Sequence, residues 1–234
     1  MNVSECLEIG LYQAAPTRFV LGCDEVGRGP LAGPVTAACV AFPPALDARF
    51  PLFAALDDSK KLTPTKRETL VPAIEAAAAA YAIVDLPPET IDRLNILRAS
   101  LTAMRMAVEA VVQKLKDAGL LTGSDGAAPI RRSLFDETPA SADANIFVIV
   151  DGNKEIPDLV YPQAACVKGD GRSWSIAAAS VLAKVHRDAL MVEYDTLYPG
   201  YGFASHAGYP TKAHREAVKK LGFCPIHRRS FQVR

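Results

Sequence analysis

A chain of 234 residues with 50% hydrophobic and 22% charged residues has the composition of an ordinary packed protein, long enough for one substantial core or two small ones. Glycine and proline, 15 and 17 residues, stay near their usual share, which excludes a collagen-like or wholly disordered chain. Net charge is zero, yet from His206 onward seven Lys and Arg stand against Glu216 alone, a pattern expected of a polyanion-binding segment near an acidic cation site, or of a solvated basic helix with no partner.

Five cysteines, Cys6, Cys23, Cys39, Cys166 and Cys224, are odd in number and never spaced as CxxC. That argues against a disulfide framework or structural zinc and for a reducing compartment. The first residues carry no basic stretch followed by an apolar one, and the longest apolar run, Ala76–Val84, is far short of a membrane span. The expectation is a soluble, cytoplasmic protein without a membrane partner.

In chain order, Phe19–Val26 reads as a strand ending near Asp24-Glu25, and Val35–Phe42 as a second strand. The punctuated GRGPLAGP between them suggests an antiparallel pair joined by an ordered loop. Thr63-Pro64-Thr65 starts a helix that continues through Ala80, followed by a strand over Tyr81–Asp85. Pro87-Pro88 opens one long helix in which Ile91, Leu94, Leu97, Leu101, Met104, Val108, Val111 and Leu115 recur mostly at three- and four-residue steps. The Gly-, Ser-, Ala- and Asp-rich stretch 118–144 reads as a mobile surface insertion. Ile146–Val150 is a continuous β-branched run of the buried-strand type, ending at Asp151-Gly152. A strand over Pro162–Val167 follows, then a helix over Ser173–Tyr194, and a last helix from Thr211 to Leu221 that stops at Gly222. A hairpin followed by alternating helices and strands makes a mixed-sheet α/β fold. The expected division is an N-terminal extension, 1–18, and one domain, 19–234.

The chemistry concentrates in a few acids. Asp24 and Glu25 end one apolar strand, Asp151 ends another, and Asp170 lies in the polar KGDGR segment before a helix. Taken singly, each suits a turn, a cap or a salt bridge. Taken together, carboxylates at strand ends beside glycines are costly to desolvate unless a cation neutralises them. Oxygen donors without His or Cys suit Mg²⁺ or Mn²⁺, and four of them could hold two ions about 4 Å apart for phosphoryl displacement. The loop Gly27-Arg28-Gly29-Pro30 is neither a Walker A motif nor GxGxxG. Its backbone is open to a ligand and Arg28 could grip a phosphate, although Gly-Arg-Gly can equally be a plain turn. Tyr209, amid the basic segment, is either a ring that stacks on a sugar or base or, more simply, a packed core ring. Ser-His-Asp chemistry has little support: Ser59, Ser173 and Ser180 lack a GxSxG elbow, and His206, His214 and His227 all lie in the tail.

The blocks CDEVGRGPLAGPV at 23–35, DDSKKLT at 57–63, LNIL at 94–97, VDGN at 150–153, KGDGRSWSIAAASVLAKVHRD at 168–188, and YGFASHAGYPTKAH with HRRSF closely resemble bacterial ribonuclease HII, in order and from about Leu21 to Phe231. The resemblance implies a ribonuclease H-like mixed five-stranded sheet flanked by helices, with a C-terminal helical portion. It implies a monomeric endoribonuclease that cuts the RNA strand of RNA–DNA hybrids and nicks on the 5′ side of a single ribonucleotide in duplex DNA, leaving 3′-hydroxyl and 5′-phosphate ends. Asp24, Glu25, Asp151 and Asp170 would be the catalytic acids and ligands of Mg²⁺ or Mn²⁺. Gly27, Arg28 and Gly29 would contact the ribonucleotide and its 2′-hydroxyl, Tyr209 would stack on the adjoining deoxynucleotide sugar, and Lys60 and Lys168 would touch phosphates. Lys184 takes a structural role. The sibling ribonuclease HIII lacks the arginine of GRG and carries an extra N-terminal domain. His186 stands where the family commonly has threonine. Recruitment by a replication clamp is left open. The competing reading is a non-catalytic nucleic-acid-binding module whose acids are structural.

Overall fold

The β-branched run at 146–150 needs burial on both faces, and the fold supplies it inside a sheet. The computed structural model describes residues 6–16, 18–44, 51–56, 59–121 and 145–232. Its elements in chain order are α1 (Leu7–Ala14), β1 (Phe19–Val26), β2 (Val35–Ala41), α2 (Pro51–Ala55), α3 (Pro64–Ala77), β3 (Ala80–Leu86), α4 (Pro88–Leu94), α5 (Ile96–Asp117), β4 (Ile146–Asp151), β5 (Gln163–Cys166), α6 (Trp174–Leu197), α7 (Phe203–His206) and α8 (Lys212–Leu221). The five strands form one sheet in the order β3-β2-β1-β4-β5. The first three strands pair antiparallel, β1 with β2 across the punctuated loop and β2 with β3, while β4 joins β1 in parallel and β5 joins β4 in parallel.

The two-residue alternation of β1 and β2 divides the core. Leu21, Cys23, Ala37, Cys39, Val148 and Val150 face α5, which covers them with Ala103, Met104, Ala107 and Val111. Ala38 and Val40 face the opposite way, toward Trp174, Ala178, Val181 and Leu182 of α6. The small residues of α6 let it lie close: a Cβ on Gly22 of β1 would stand 2.3 Å from the backbone at Ser175 and Ile176. A separate apolar cluster of Tyr201, Phe203, Val218 and Ile226 forms the C-terminal helical portion, and Met191 of α6 and Ala32 join it to the body.

The sequence pattern departs from the fold in three places. The long helix expected from Pro87-Pro88 is two helices, because Asn95 takes φ 68° and its side chain accepts a hydrogen bond from Arg98 N at 3.1 Å, capping α5. That backbone (ψ 162°) cannot continue a helix, while the Asn side chain caps well, so one residue ends α4 and starts its neighbour. The helix opened at Thr63 ends at Ala77, and β3 begins at Ala80. Finally, α1 and α2 were not anticipated; α1 has no side-chain cap and little patterning, but it seats Glu8 in the interior. That carboxylate accepts bonds from Ser173 Oγ at 2.6 Å and from Ser175 N and Oγ at 2.9 and 2.6 Å. Of the expected insertion, 122–144 lie outside the described residues. Among the described residues no helix is long and apolar enough to cross a membrane.

His186 on α6 reaches across to β3, its Nε2 2.7 Å from Asp85 Oδ2. The bond to Asp85 raises the imidazole above its usual 6.5. Burial opposes ionisation of Asp85, yet the bonds from His186 and Thr36 hold its carboxyl below the usual 3.8. The pair therefore stabilises the fold between roughly those two ordinary values, and its contribution is lost as pH rises through the raised histidine value. Both side chains are about a third or more exposed, so the contribution stays below about 1 kcal/mol. His186→Gln should lower the melting temperature by about 2–4 °C at most near pH 6, and by progressively less as pH rises through the raised histidine value, measured by thermal unfolding across a pH series.

Candidate active site

The site follows from where two parallel strands stop. The β1–β4 register pairs Cys23 with Val150, so the next residues, Asp24 and Asp151, sit side by side at the C-terminal ends of neighbouring strands, where ligands gather in α/β sheets. Asp24 is buried at 7% exposure. Its Oδ1 accepts from Glu25 N at 2.7 Å, and Ser180 on α6 also bonds its carboxyl. Burial, then the charges of Glu25 and Asp151, push the Asp24 carboxyl well above the carboxylate range, against the pull of those two bonds. Asp151 is held by Gly169 N, which donates to its Oδ1 at 2.7 Å. Gly169 opens the short 3₁₀ turn 169–171 that carries Asp170, itself buried.

Glu25 lies one residue on, on the other side of the pleat. Burial raises its carboxyl despite Arg28, whose Nη1 stands 3.2 Å from Oε1. Glu25, Arg28 and Asp151 share a cleft of about 190 Å³ with Ser100, Leu101 and Lys154. Among the described residues no three acids, imidazoles or thiols are drawn together tightly enough to enclose an ion. The donor chemistry nonetheless fits a hard divalent cation. The oxygens are carboxylate, burial makes two of the groups resist ionisation, and the imidazoles lie elsewhere, His214 and His227 being buried in the C-terminal cluster.

The loop between β1 and β2 is fixed by residues the sequence pattern did not single out. Gly27 takes φ 90°, and a Cβ there would fall 2.3 Å from Arg187 Nε. Arg228 donates to the carbonyls of Gly27 at 2.6 Å, Arg28 at 3.2 Å, Gly33 at 2.9 Å and Pro34 at 2.9 Å. Arg187 donates to those of Ala32 at 3.1 Å, Pro34 at 3.1 Å and Ala207 at 3.0 Å. Leu31 N adds a bond to Gly208 O at 2.8 Å. The loop and the HAGY segment are thereby one unit, and the Tyr209 ring comes to 3.4 Å from where a Gly29 Cβ would be. Tyr209 is 43% exposed, so it is a surface ring beside the loop and not a packed core ring.

The basic C-terminal stretch is likewise not uniform. Lys212, Lys219 and Lys220 of α8 face solvent, Arg228 is buried, and Arg215 binds Pro210 O at 2.6 Å. Lys168 has left-handed backbone next to Asp170 and is exposed. Lys60 is exposed in a turn whose neighbour, Ser59, is buried and 2.8 Å from Ser180 Oγ, the hydroxyl that also meets Asp24. Lys184 pairs with Asp188 one helical turn on, at 2.6 Å. Ser180, Arg187 and Arg228 are the positions that sequence reasoning missed. The only available signal was their place inside the blocks 168–188 and HRRSF.

A family model described as Ribonuclease HII matches residues 21–121 and 140–234. A ribonuclease HII of Chlorobium chlorochromatii is 49% identical over 216 residues, covering 92% of this chain and 90% of that one. Among solved structures, the ribonuclease H2 of Pyrococcus horikoshii OT3 superposes with a TM-score of 0.65 at 23% identity, over 92% of this chain and 94% of that one. Bst-RNase HIII in complex with Mn²⁺ does so with a TM-score of 0.58 at 19% identity, over 92% and 67% respectively.

Proposed function

The chain belongs to the ribonuclease HII family, and with that as premise we propose that Asp24, Glu25, Asp151 and Asp170 form the catalytic, metal-binding centre, with Gly27, Arg28, Gly29 and Tyr209 as its substrate contacts. The enzyme is an endoribonuclease of the ribonuclease H type. The substrates are RNA–DNA hybrids and duplex DNA containing a ribonucleotide, and the nick falls on the 5′ side of that ribonucleotide. The observation that carries the reading is the adjacency of Asp24 and Asp151 at the ends of β1 and β4, beside a loop whose backbone is rigidly held.

Mg²⁺ or Mn²⁺, when bound, supplies a nucleophilic water of lowered pKa and stabilises the charge on the leaving 3′-oxygen. The protein's own groups do the rest. Ser180 and Glu25 N orient the Asp24 carboxylate, and Gly169 N orients that of Asp151. Arg28, half exposed beside Glu25, is placed to meet a phosphate. Backbone donors of the loop read the 2′-hydroxyl, the group that distinguishes RNA from DNA. Lys60 and Lys168, both exposed, contact flanking phosphates. The division into an extension, 1–18, and a catalytic domain, 19–234, belongs to the same proposal.

The test is end-labelled duplex DNA with one ribonucleotide, incubated with Mg²⁺, with Mn²⁺ and with chelator. Metal-dependent nicking 5′ of the ribonucleotide, with 3′-hydroxyl and 5′-phosphate ends, is expected. Binding without cleavage in either metal would instead favour a binding module with structural acids. Tyr209→Ala should reduce cutting at a single ribonucleotide by roughly ten- to a hundredfold, the cost of about 1–3 kcal/mol of lost stacking. Affinity for all-DNA duplex should change little, and equal losses in both assays would remove the junction-reading role.

A further inference from the structure

We propose that Arg187 and Arg228 are positioning residues that set the peptide planes of the Gly27–Gly29 loop, and through them the enzyme's preference for a ribonucleotide. The proposal rests on the reading of that loop as the ribonucleotide contact. Both guanidiniums are fully buried, at 0% and 1% exposure. A buried cation ordinarily takes a carboxylate partner, yet among the described residues the groups these two bond are backbone carbonyls, those of Gly27, Arg28, Ala32, Gly33, Pro34 and Ala207.

In a trans peptide the C=O and the N–H point in opposite directions, and the chain holds no cis bond among its described residues. Pulling the carbonyls of Gly27 and Arg28 inward onto Arg228 therefore turns the N–H groups of Arg28 and Gly29 outward, on the side where Tyr209 approaches Gly29. Successive outward N–H groups form a concavity suited to an anionic or hydroxyl oxygen. The bond from Arg187 to Ala207 O extends the same hold to the segment bearing Tyr209. Two like charges packed together carry a cost: burial and then the neighbouring Arg187 lower Arg228 to about 9, against the opposing pull of Asp92. A phosphodiester anion arriving at the outer face of the loop offsets that cost, so the loop is positively backed where the substrate is negative.

Arginine's planar fork serves several carbonyls at once, whereas a lysine ammonium cannot hold the same array. Arg228→Lys and Arg187→Lys should each lower kcat/KM for a single-ribonucleotide duplex on the order of a hundredfold, the scale of a misplacement of about 1 Å. The ratio of affinities for ribonucleotide-containing and all-DNA duplex, measured by fluorescence anisotropy with metal withheld, should collapse toward one. Mn²⁺ binding measured by calorimetry should be unchanged, since the acids lie on other elements. An unchanged affinity ratio would overturn the proposal, whatever happens to the rate.

Should either variant fail to fold, the wild-type protein labelled with ¹⁵N-arginine gives a second readout. Nε–H exchange at Arg187 and Arg228 should be orders of magnitude slower than at exposed Arg28, and exchange as fast as that of Arg28 would defeat the proposal. A wild-type protein that cuts nothing would defeat the functional reading alone and would leave this exchange result standing.

Discussion

Asp24→Asn and Asp151→Asn are each expected to reduce nicking about a hundred- to a thousandfold, the scale seen when one preorganised charge-stabilising group is removed, while leaving the protein folded. The Asp24 change carries a second expectation of opposite sign. Its carboxyl is buried, and desolvation together with the charges of Glu25 and Asp151 opposes its ionisation. Asparagine keeps the shape and can still accept from Glu25 N, but it removes one of three like charges. Metal-free D24N protein should therefore melt higher than wild type, by about 2–4 °C for each ~1 kcal/mol of repulsion relieved in a chain of this size. Added Mg²⁺ should raise the melting temperature of wild type more than that of the variant. A variant that cuts normally would remove Asp24 from the ligand set, and one that is inactive but melts lower would show that the carboxylate is structural.

Gly22→Ala should be strongly damaging for a single added methyl group. The added Cβ would sit 2.3 Å from Ile176 N and Ser175 C, which are helix backbone and cannot rotate aside. Relief requires α6 to lift from β1, loosening the Trp174, Ala178 and Val181 packing on the same sheet face and shifting the Asp170 turn just upstream. Overpacking of this kind costs about 1–3 kcal/mol and more where backbone must move, so a fall of several degrees in melting temperature and a marked loss of activity are expected together. Gly10, with nothing within 4 Å of its would-be Cβ, is the control, and Gly10→Ala should be near neutral. A Gly22→Ala protein as stable as wild type would mean that α6 does not lie as close to the sheet as described.

Much of this was legible in the chain. β1 and β4 announce themselves as apolar runs interrupted by acids, and a buried strand ending in a carboxylate is unusual enough to mark Asp24 and Asp151 without any geometry. Asp170 is marked differently, by its place between two glycines in the polar KGDGR segment just before a helix. Which acids become neighbours was not legible, since that depends on the parallel pairing of strands more than a hundred residues apart. Asn95 illustrates a different blindness: the apolar spacing runs straight through it, and only the backbone reveals two helices. Arg187 and Arg228 were hidden by their own chemistry, because arginine usually belongs to the surface, and one of them lay in a stretch read as basic and available for a polyanion. Glu8 was hidden likewise, an acid on a weakly patterned helix that turns out to be buried against Ser173 and Ser175.

The hold of Arg228 on the loop has a consequence for the order in which the enzyme is made. Its bonds span 194 to 201 residues of sequence, among the longest closures in the molecule, whereas the hairpin that presents Asp24 pairs residues only about 10 to 20 apart. Long closures are entropically dearer and form late. On a ribosome the hairpin can emerge and pair early, but the loop at its turn stays without its last anchor until Arg228 has been synthesised. The geometry of the loop is therefore the last part of the fold to be fixed, although the strands that flank it can be among the first.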